Sequence, residues 1–443
     1  MKEGGRLVRE IGWPTAAAVV IANMVGTGIF TTSGFLARDL GSPWRLLALW
    51  LVGGAIALAG ALAYAELGAA MPEAGGEYIY LREAYGPLMA YLSGWTSFFI
   101  GFSGALAAAL LGCAAYLTHV VEAFGAAPLD PKITALATLW ALTAAHVAGA
   151  GPGGRLQRAL TVATIAAIVG LVATGFAVGD GTVANFRSSG PAAGNVAVSL
   201  IFVLYGYSGW NAAAYLAGEV FEPERGVPRA LLGGTAVVIA LYLGLNCLYL
   251  YALSIGQMAG VLAIGEQAAR ALFGPAAARW VAAIIALAIL SSASAMVLAG
   301  PRVYYAMARD HMLPRLFAEV SARRHTPARA ILLQSAWTSV VICFFGTFEP
   351  IVVYTGFAVT AFAATAVAAV IVLRMRRPNL PRPFRMWGYP WLALAYGVVS
   401  LWIIVYAVAS RPIETLSGVI TVGTGVPIYY LTRIWKRHRA GIR

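Results

Sequence analysis

The apolar positions of this chain neither alternate nor trace a one-sided helical stripe. They run on, unbroken by charge, for about twenty residues or more at a time, the length that crosses a bilayer as a helix. Twelve such runs are predicted, near 11–37, 44–70, 86–118, 132–150, 156–178, 194–218, 229–254, 277–308, 329–347, 350–374, 388–409 and 412–434. Continuous rather than alternating runs argue against a membrane β-barrel. The connections are short, so no soluble domain is expected. The first run follows a basic head (Lys2, Arg6, Arg9), is too long for a cleavable signal, and is followed by further spans. The predicted class is an all-α polytopic membrane protein.

Composition agrees. Of 443 residues, 60% are hydrophobic and 11% charged, against about 25% charged in soluble domains. So little charge cannot wet a globular surface, and it also excludes disorder, collagen and a disulfide scaffold. Cys113, Cys247 and Cys343 lie in apolar runs and read as small buried hydrophobes. The net charge of +13 changes meaning once sorted by loop. Twelve spans place both ends on one side, and that side carries 24 of the 31 Lys and Arg. This is the positive-inside distribution, with some attraction to anionic lipid. It makes the head and tail cytoplasmic, and nucleic-acid binding has no separate support.

Two spans carry paired glycines at mid-length. Span 1 reads Asn23-Met24-Val25-Gly26-Thr27-Gly28-Ile29-Phe30, and span 6 reads Leu204-Tyr205-Gly206-Tyr207-Ser208-Gly209-Trp210-Asn211. Glycine weakens a helix, although glycine in membrane helices also serves close packing. These two spans head two successive sets of five, and matching interruptions are the mark of an inverted-repeat transporter. Unwound backbone is tolerated at membrane depth only where it lines a cavity. A half-helix starting near Thr27–Gly28 would point its positive end at a carboxylate. Freed carbonyls near Met24, Tyr205, Gly206 and Ser208 would suit an ammonium group. Together they describe the head group of an α-amino acid. Glu66 and Glu219 fall near the cytoplasmic ends of spans 2 and 6, and no acid falls at mid-depth near the breaks. A cationic cargo would favour such an acid, so the cargo is expected to be neutral.

These residues resemble the amino acid–polyamine–organocation superfamily, and most closely its L-type and alanine–serine–cysteine permeases. The similarity rests on three blocks in order. They are Gly26-Thr27-Gly28-Ile29-Phe30; Tyr64-Ala65-Glu66-Leu67-Gly68 with Pro72-Glu73-Ala74-Gly75-Gly76-Glu77-Tyr78 running to Tyr85-Gly86-Pro87; and Tyr207-Ser208-Gly209-Trp210-Asn211 with Glu219 and Glu222-Pro223-Glu224-Arg225-Gly226-Val227-Pro228. The resemblance implies twelve transmembrane helices in a five-plus-five inverted repeat with spans 1 and 6 broken. That divides the chain into a head (1–10), a first repeat (11–178), a second repeat (194–374), spans 11–12 (386–435) and a tail (436–443). It implies exchange or symport by alternating access. The amides of Thr27 and Gly28 beside Gly26 would hold the carboxylate, and the carbonyls of Met24, Tyr205 and Ser208 the amine, with Tyr205 as an aromatic gate. Ser208 stands where carriers of large substrates have glycine, which narrows the pocket and implies small to medium amino acids.

One departure concerns the driving force. Many relatives have Lys in span 5 seven residues after a Gln, and counting from Gln157 reaches Thr164. Span 8 offers Ser291, Ser292 and Ser294, which with the carbonyls of Ala22 and Val25 resemble a sodium site, although serines in membrane helices commonly bond their own backbone. Exchange, sodium symport and proton coupling therefore stay open, and no cofactor is expected. The eukaryotic L-type members work with a glycoprotein bound through a Cys in the external loop between spans 3 and 4. The loop around His119–Lys132 has none, so no obligatory partner is expected and a prokaryotic carrier working alone is implied. A polyamine or cationic amino acid carrier is the alternative. An intramembrane enzyme is disfavoured, because no metal spacing or Ser/His pair is visible. The glycine-rich stretch 149–155 lacks the Gly-Lys-Ser/Thr of a phosphate loop.

Overall fold

The computed structural model describes residues 7–123, 127–128, 130–321, 323–345, 348–410 and 412–441. The first six residues of the expected head, part of the loop between spans 3 and 4, and the last two residues of the tail lie outside the described residues.

Among the described residues the named elements are all helices, and an isolated bridge of β type joins Ile11 to Val220. In the first half the helices are α1 (Trp13–Met24), α2 (Thr27–Leu40), α3 (Pro43–Ala70), α4 (Glu77–Tyr85), α5 (Pro87–Thr96), α6 (Ser103–Ala123), α7 (Pro131–Val147) and α8 (Ala150–Val178). The second half has α9 (Val196–Gly206), α10 (Ala212–Tyr215), α11 (Pro223–Ala252), α12 (Ile255–Met258), α13 (Ile264–Phe273), α14 (Ala277–Ala299), α15 (Pro301–Arg309), α16 (Ala328–Phe345), α17 (Phe348–Arg376), α18 (Trp391–Ser410) and α19 (Pro412–Gly441). Proline opens α3, α5, α7 and α11, where its missing N–H costs nothing. The Asp130 side chain caps α7 by accepting from the Ile133 amide at 2.8 Å.

Among the described residues, seven helical segments are long and apolar enough to cross a membrane, or eight if the bent pair α1–α2 is counted as one span. Burial sorts them. The span Arg279–Arg309 has 72% of its apolar window buried, whereas the windows of α8 and α18 are 22% and 17% buried. The first stands at the centre of the bundle. The other two turn apolar faces such as Val169 and Leu401 outward, as lipid-facing helices do. The helix α1 packs against α8, α11 and α14, so the interrupted span 1 lies in the interior.

Between α5 and α6 runs a π-helical turn, Ser97–Phe102. Such a turn misaligns backbone carbonyls. Here the Tyr304 hydroxyl donates to Ser97 O at 3.2 Å and the Trp337 indole to Phe99 O at 3.4 Å.

Candidate functional site

Span 1 breaks where the glycines stand. The helix α1 ends at Met24, Val25 and Gly26 leave helical geometry, and α2 restarts at Thr27 with its axis turned by 44°. Span 6 is interrupted further than its glycines alone suggest. After α9 ends at Gly206, residues 207–211 form turns, α10 lasts four residues, and a 3-10 turn runs from Ala217 to Glu219.

The two breaks touch. A Cβ added at Gly28 would lie 2.7 Å from Gly206 Cα, closer than real carbon contacts allow. Gly209 has φ +98° and presses on Asn23, whose amide donates to Gly209 O at 3.4 Å. Glycine therefore does two things here. It lets the backbone leave the helix, and it lets two unwound segments meet.

Of the carbonyls expected to be free, two share a donor. The Tyr242 hydroxyl on α11 lies 2.7 Å from Met24 O and 2.9 Å from Gly206 O. A phenol has one proton, so it serves one carbonyl at a time and leaves the other open to a further donor. The third, Tyr205 O, accepts from the Ser208 amide at 3.0 Å. Ser208 is exposed, while Gly26, Thr27 and Tyr205 are half-buried. Their neighbours Met24, Val25 and Gly28 are buried.

The serines of α14 point three ways. The Ser291 hydroxyl lies 3.5 Å from the Gln157 amide and 3.4 Å from Thr161 Oγ1. The position of a Cβ at Gly26 is 3.8 Å from Ser292 Oγ, which puts that hydroxyl at the span-1 break next to buried Ala22 and Val25. Ser294 bonds His146 at 2.9 Å. Thr164 is buried and its hydroxyl returns to Leu160 O at 2.9 Å, one turn back on its own helix. The hydroxyl of α8 that reaches span 1 belongs to Thr161, 3.2 Å from Ala18 O. Among the described residues no cluster of His, Cys, Asp or Glu could hold a metal ion.

Near the basic-rich segments, buried ion pairs tie the ends of the spans together. Arg302 at the start of α15 is fully buried, with Nε 2.7 Å and Nη2 2.9 Å from the two carboxylate oxygens of Glu219. Its remaining nitrogen donates to Leu298 O. The residues on either side of Val220 bond the N-terminal segment: Ile11 N donates to Glu219 O at 2.8 Å, and Phe221 N to Ile11 O at 2.9 Å. Glu66 is held similarly by Arg374, at 2.9 and 2.6 Å, and by the Met386 amide at 2.7 Å. Arg302 and Glu219 lie 83 residues apart in the chain, a separation that no local pattern encodes.

Tyr242 was also missed, because one tyrosine in an apolar run carries no signal until its neighbours are known. Replacing it by Phe leaves both carbonyls without this donor, at a cost of about 1–3 kcal/mol for a buried unsatisfied group. The Tyr242→Phe variant is expected to lose about tenfold in substrate-exchange rate while still purifying as a monodisperse protein. An unchanged rate would show that the hydroxyl is not needed to hold the breaks.

The sequence model of the amino acid permease family matches residues 11–432. The chain is 27% identical over 440 residues to "Asc-type amino acid transporter 1" of Mus musculus, a match covering 97% of this chain and 82% of that protein. It is 27% identical over 452 residues to "Large neutral amino acids transporter small subunit 2" of Homo sapiens, covering 98% and 82%. It is 28% identical over 436 residues to "Serine/threonine exchanger SteT" of Bacillus subtilis (strain 168), covering 97% and 98%. With its apolar helices and paired breaks, this near full-length agreement makes the chain an integral membrane transporter rather than an enzyme, and a member of the amino acid permease family within the amino acid–polyamine–organocation superfamily.

Proposed function

We propose that this chain exchanges small to medium neutral L-amino acids across a prokaryotic cytoplasmic membrane, as a twelve-span carrier with a five-plus-five inverted repeat. The observation that carries the proposal is the contact of two interrupted helices at Gly28 and Gly206, with a helix start at Thr27 on one side and the carbonyls of Met24 and Gly206 on the other. The α-carboxylate would sit on the Thr27 and Gly28 amides, where the helix dipole favours it. The ammonium would take the carbonyl that Tyr242 leaves open, with Ser208 O beside it. Tyr205, half-buried between the breaks, would close over the cargo.

Neutral cargo is supported by the state of the acids. Glu66 and Glu219, the nearest to spans 2 and 6, are each taken by arginine. A polyamine or cationic side chain would therefore meet no free carboxylate from them at the breaks. The names of the relatives point the same way: one is a serine/threonine exchanger and another a carrier of large neutral amino acids. Exchange without sodium is supported by Ser291, whose hydroxyl faces Gln157 and Thr161. The repeats would span 11–178 and 194–374, with spans 11–12 at 386–435 and both termini cytoplasmic. The carrier would work without a glycoprotein subunit.

Counterflow in proteoliposomes tests this. Preloaded unlabelled alanine or serine is expected to drive uptake of labelled alanine with and without a sodium gradient. Arginine and cadaverine are expected not to compete. Competition by leucine and phenylalanine far above that of alanine or serine would overturn the size limit, and a strict sodium requirement would overturn exchange.

A further inference from the structure

Four carboxylates are buried among the described residues: Asp39, Glu66, Glu77 and Glu219. Three have a cation. Asp39 meets Arg38, Glu66 meets Arg374 and Arg382, and Glu219 meets Arg302. Glu77, at the first turn of α4 and 7% exposed, has none within ion-pair distance. Hydroxyls surround it instead. Tyr64 on α3 donates to Oε2 at 2.9 Å, Ser93 on α5 to Oε1 at 3.3 Å, and Tyr215 on α10 is also in hydrogen-bonding contact.

Among the described residues, the other elements against α4 bring no cation to Glu77. The aromatic groups near Glu77 from α4 and α18 are Tyr80 and Tyr396, which carry hydroxyls rather than cations. On α15, Arg302 is committed to Glu219, Asp310 just beyond it bonds Arg82 and Tyr78, and Arg309 lies over the Tyr305 ring. On α17, Arg374 is committed to Glu66 and Arg376 donates to Ala84 O. Arg82 and Glu83 of α4 pair with each other and with groups outside this cluster. An isolated carboxylate in such a site is costly, which favours the protonated form. Burial pushes the Glu77 carboxyl up to about 7, against the opposing hydrogen bonds of Tyr64, Ser93 and Tyr215.

The cluster is wired to the break in span 6. The Asn211 amide donates to the Tyr215 hydroxyl at 3.1 Å, and Tyr215 touches Glu77 in turn. The Gly75 amide, two residues before Glu77, donates to Tyr215 O at 3.1 Å. Movement of 211–219 away from α4 would part Tyr215 from Glu77 and admit water.

We propose that Glu77 is a proton-binding site that holds its proton while the basic-rich side is closed and releases it as the inner part of span 6 moves away. The coupling rests on the alternating-access function proposed above; the proton site itself does not. Linkage sets the sign. The closed state has the higher proton affinity, so its advantage is full below the ordinary carboxylate range and disappears as pH rises through about 7. Within that window the closed-to-open ratio changes by up to about tenfold per pH unit. Acid on the basic-rich side therefore slows opening.

Two measurements on the full-length protein test the proposal. The first is infrared difference spectroscopy of the purified carrier, titrated between about pH 5 and pH 9, following the carbonyl stretch of a protonated carboxyl. A band that titrates near neutrality and vanishes in Glu77→Gln is expected. Ser93→Ala, which removes a bond favouring the charged form, should shift the midpoint upward. The second is alanine counterflow over the same range. The wild type is expected to slow several-fold from alkaline to acid pH, and Glu77→Gln to run at the slow rate throughout. A neutral-range band that survives in Glu77→Gln, or no such band in the wild type, overturns the site. A wild-type pH profile retained by Glu77→Gln overturns the coupling. If no amino acid drives counterflow, the transport function falls while the infrared titration still judges Glu77.

Discussion

Gly28→Ala is expected to abolish most transport while leaving a folded, purifiable protein. The added methyl would sit 2.7 Å from Gly206 Cα and 3.5 Å from Gly206 N. The obstacle is backbone, so no side-chain rotation relieves it. Overpacking of this kind costs about 1–3 kcal/mol, and here it acts where span 1 must stay against span 6. Pushing the breaks apart also moves Met24 O from Gly206 O, so that Tyr242 no longer bridges them. Each 1.4 kcal/mol of lost transition-state stabilisation is about tenfold in rate, so a loss of tenfold to a hundredfold in alanine counterflow is expected. Gly206→Ala is the milder comparison: its methyl would approach Trp50 ring atoms at 3.0 and 3.3 Å, and a ring can shift. Wild-type counterflow by Gly28→Ala would show that the contact is not needed for transport.

Arg302→Met is expected to destabilise the protein more than any single change on the lipid-facing surface. It leaves Glu219, 1% exposed, without a counter-ion in a dry site. Breaking a buried pair from one side costs about 3–5 kcal/mol, whereas replacing both partners with apolar groups is often neutral or better. Thermal unfolding in detergent should therefore show a large drop for Arg302→Met, a similar drop for Glu219→Leu alone, and recovery in the double variant. Transport separates a gate from a strut. The 3-10 turn that carries Glu219 also bonds Ile11, so the pair fixes where the end of span 6 docks on the N-terminal segment. Apolar substitutes restore packing without that registry, and the double variant should stay slow in counterflow. Recovery of both stability and rate would make the pair a strut only.

Much of this was legible in the residues themselves. Membrane character needs only hydropathy, which acts residue by residue and survives any rearrangement of the helices. The span-1 break was legible at Gly26 and Gly28 because helix weakening by glycine is local. The break in span 6 was placed correctly at Gly206–Gly209, but its extent was not. The short α10 and the 3-10 turn depend on what Ala212–Glu219 packs against. At the candidate site, Ser292 Oγ lies 3.8 Å from the position of a Cβ at Gly26. Thr164 turned its hydroxyl to its own helix, and Thr161, one turn earlier on the same polar stripe, reaches span 1 instead. A stripe names a face of a helix, and only the rotation of the packed helix decides which residue on it makes the contact.

The acids show the same division. Their absence from mid-depth is a count along the chain and needs no structure. Which acid keeps a cation is a matter of distance. Glu66, Glu77 and Glu219 look alike in sequence, yet Arg374 comes to the first and Arg302 to the third across long stretches of chain, while the second meets hydroxyls and, among the described residues, no cation. By itself the sequence determined that the chain lies in a membrane and where two of its helices come apart, because hydropathy and glycine strain are properties of single residues and their neighbours. Only the tertiary structure decided that the two breaks touch at Gly28 and Gly206, that Tyr242 bridges their carbonyls, and that Glu77 is left with hydroxyls for company, because each depends on groups brought together from far along the chain by packing.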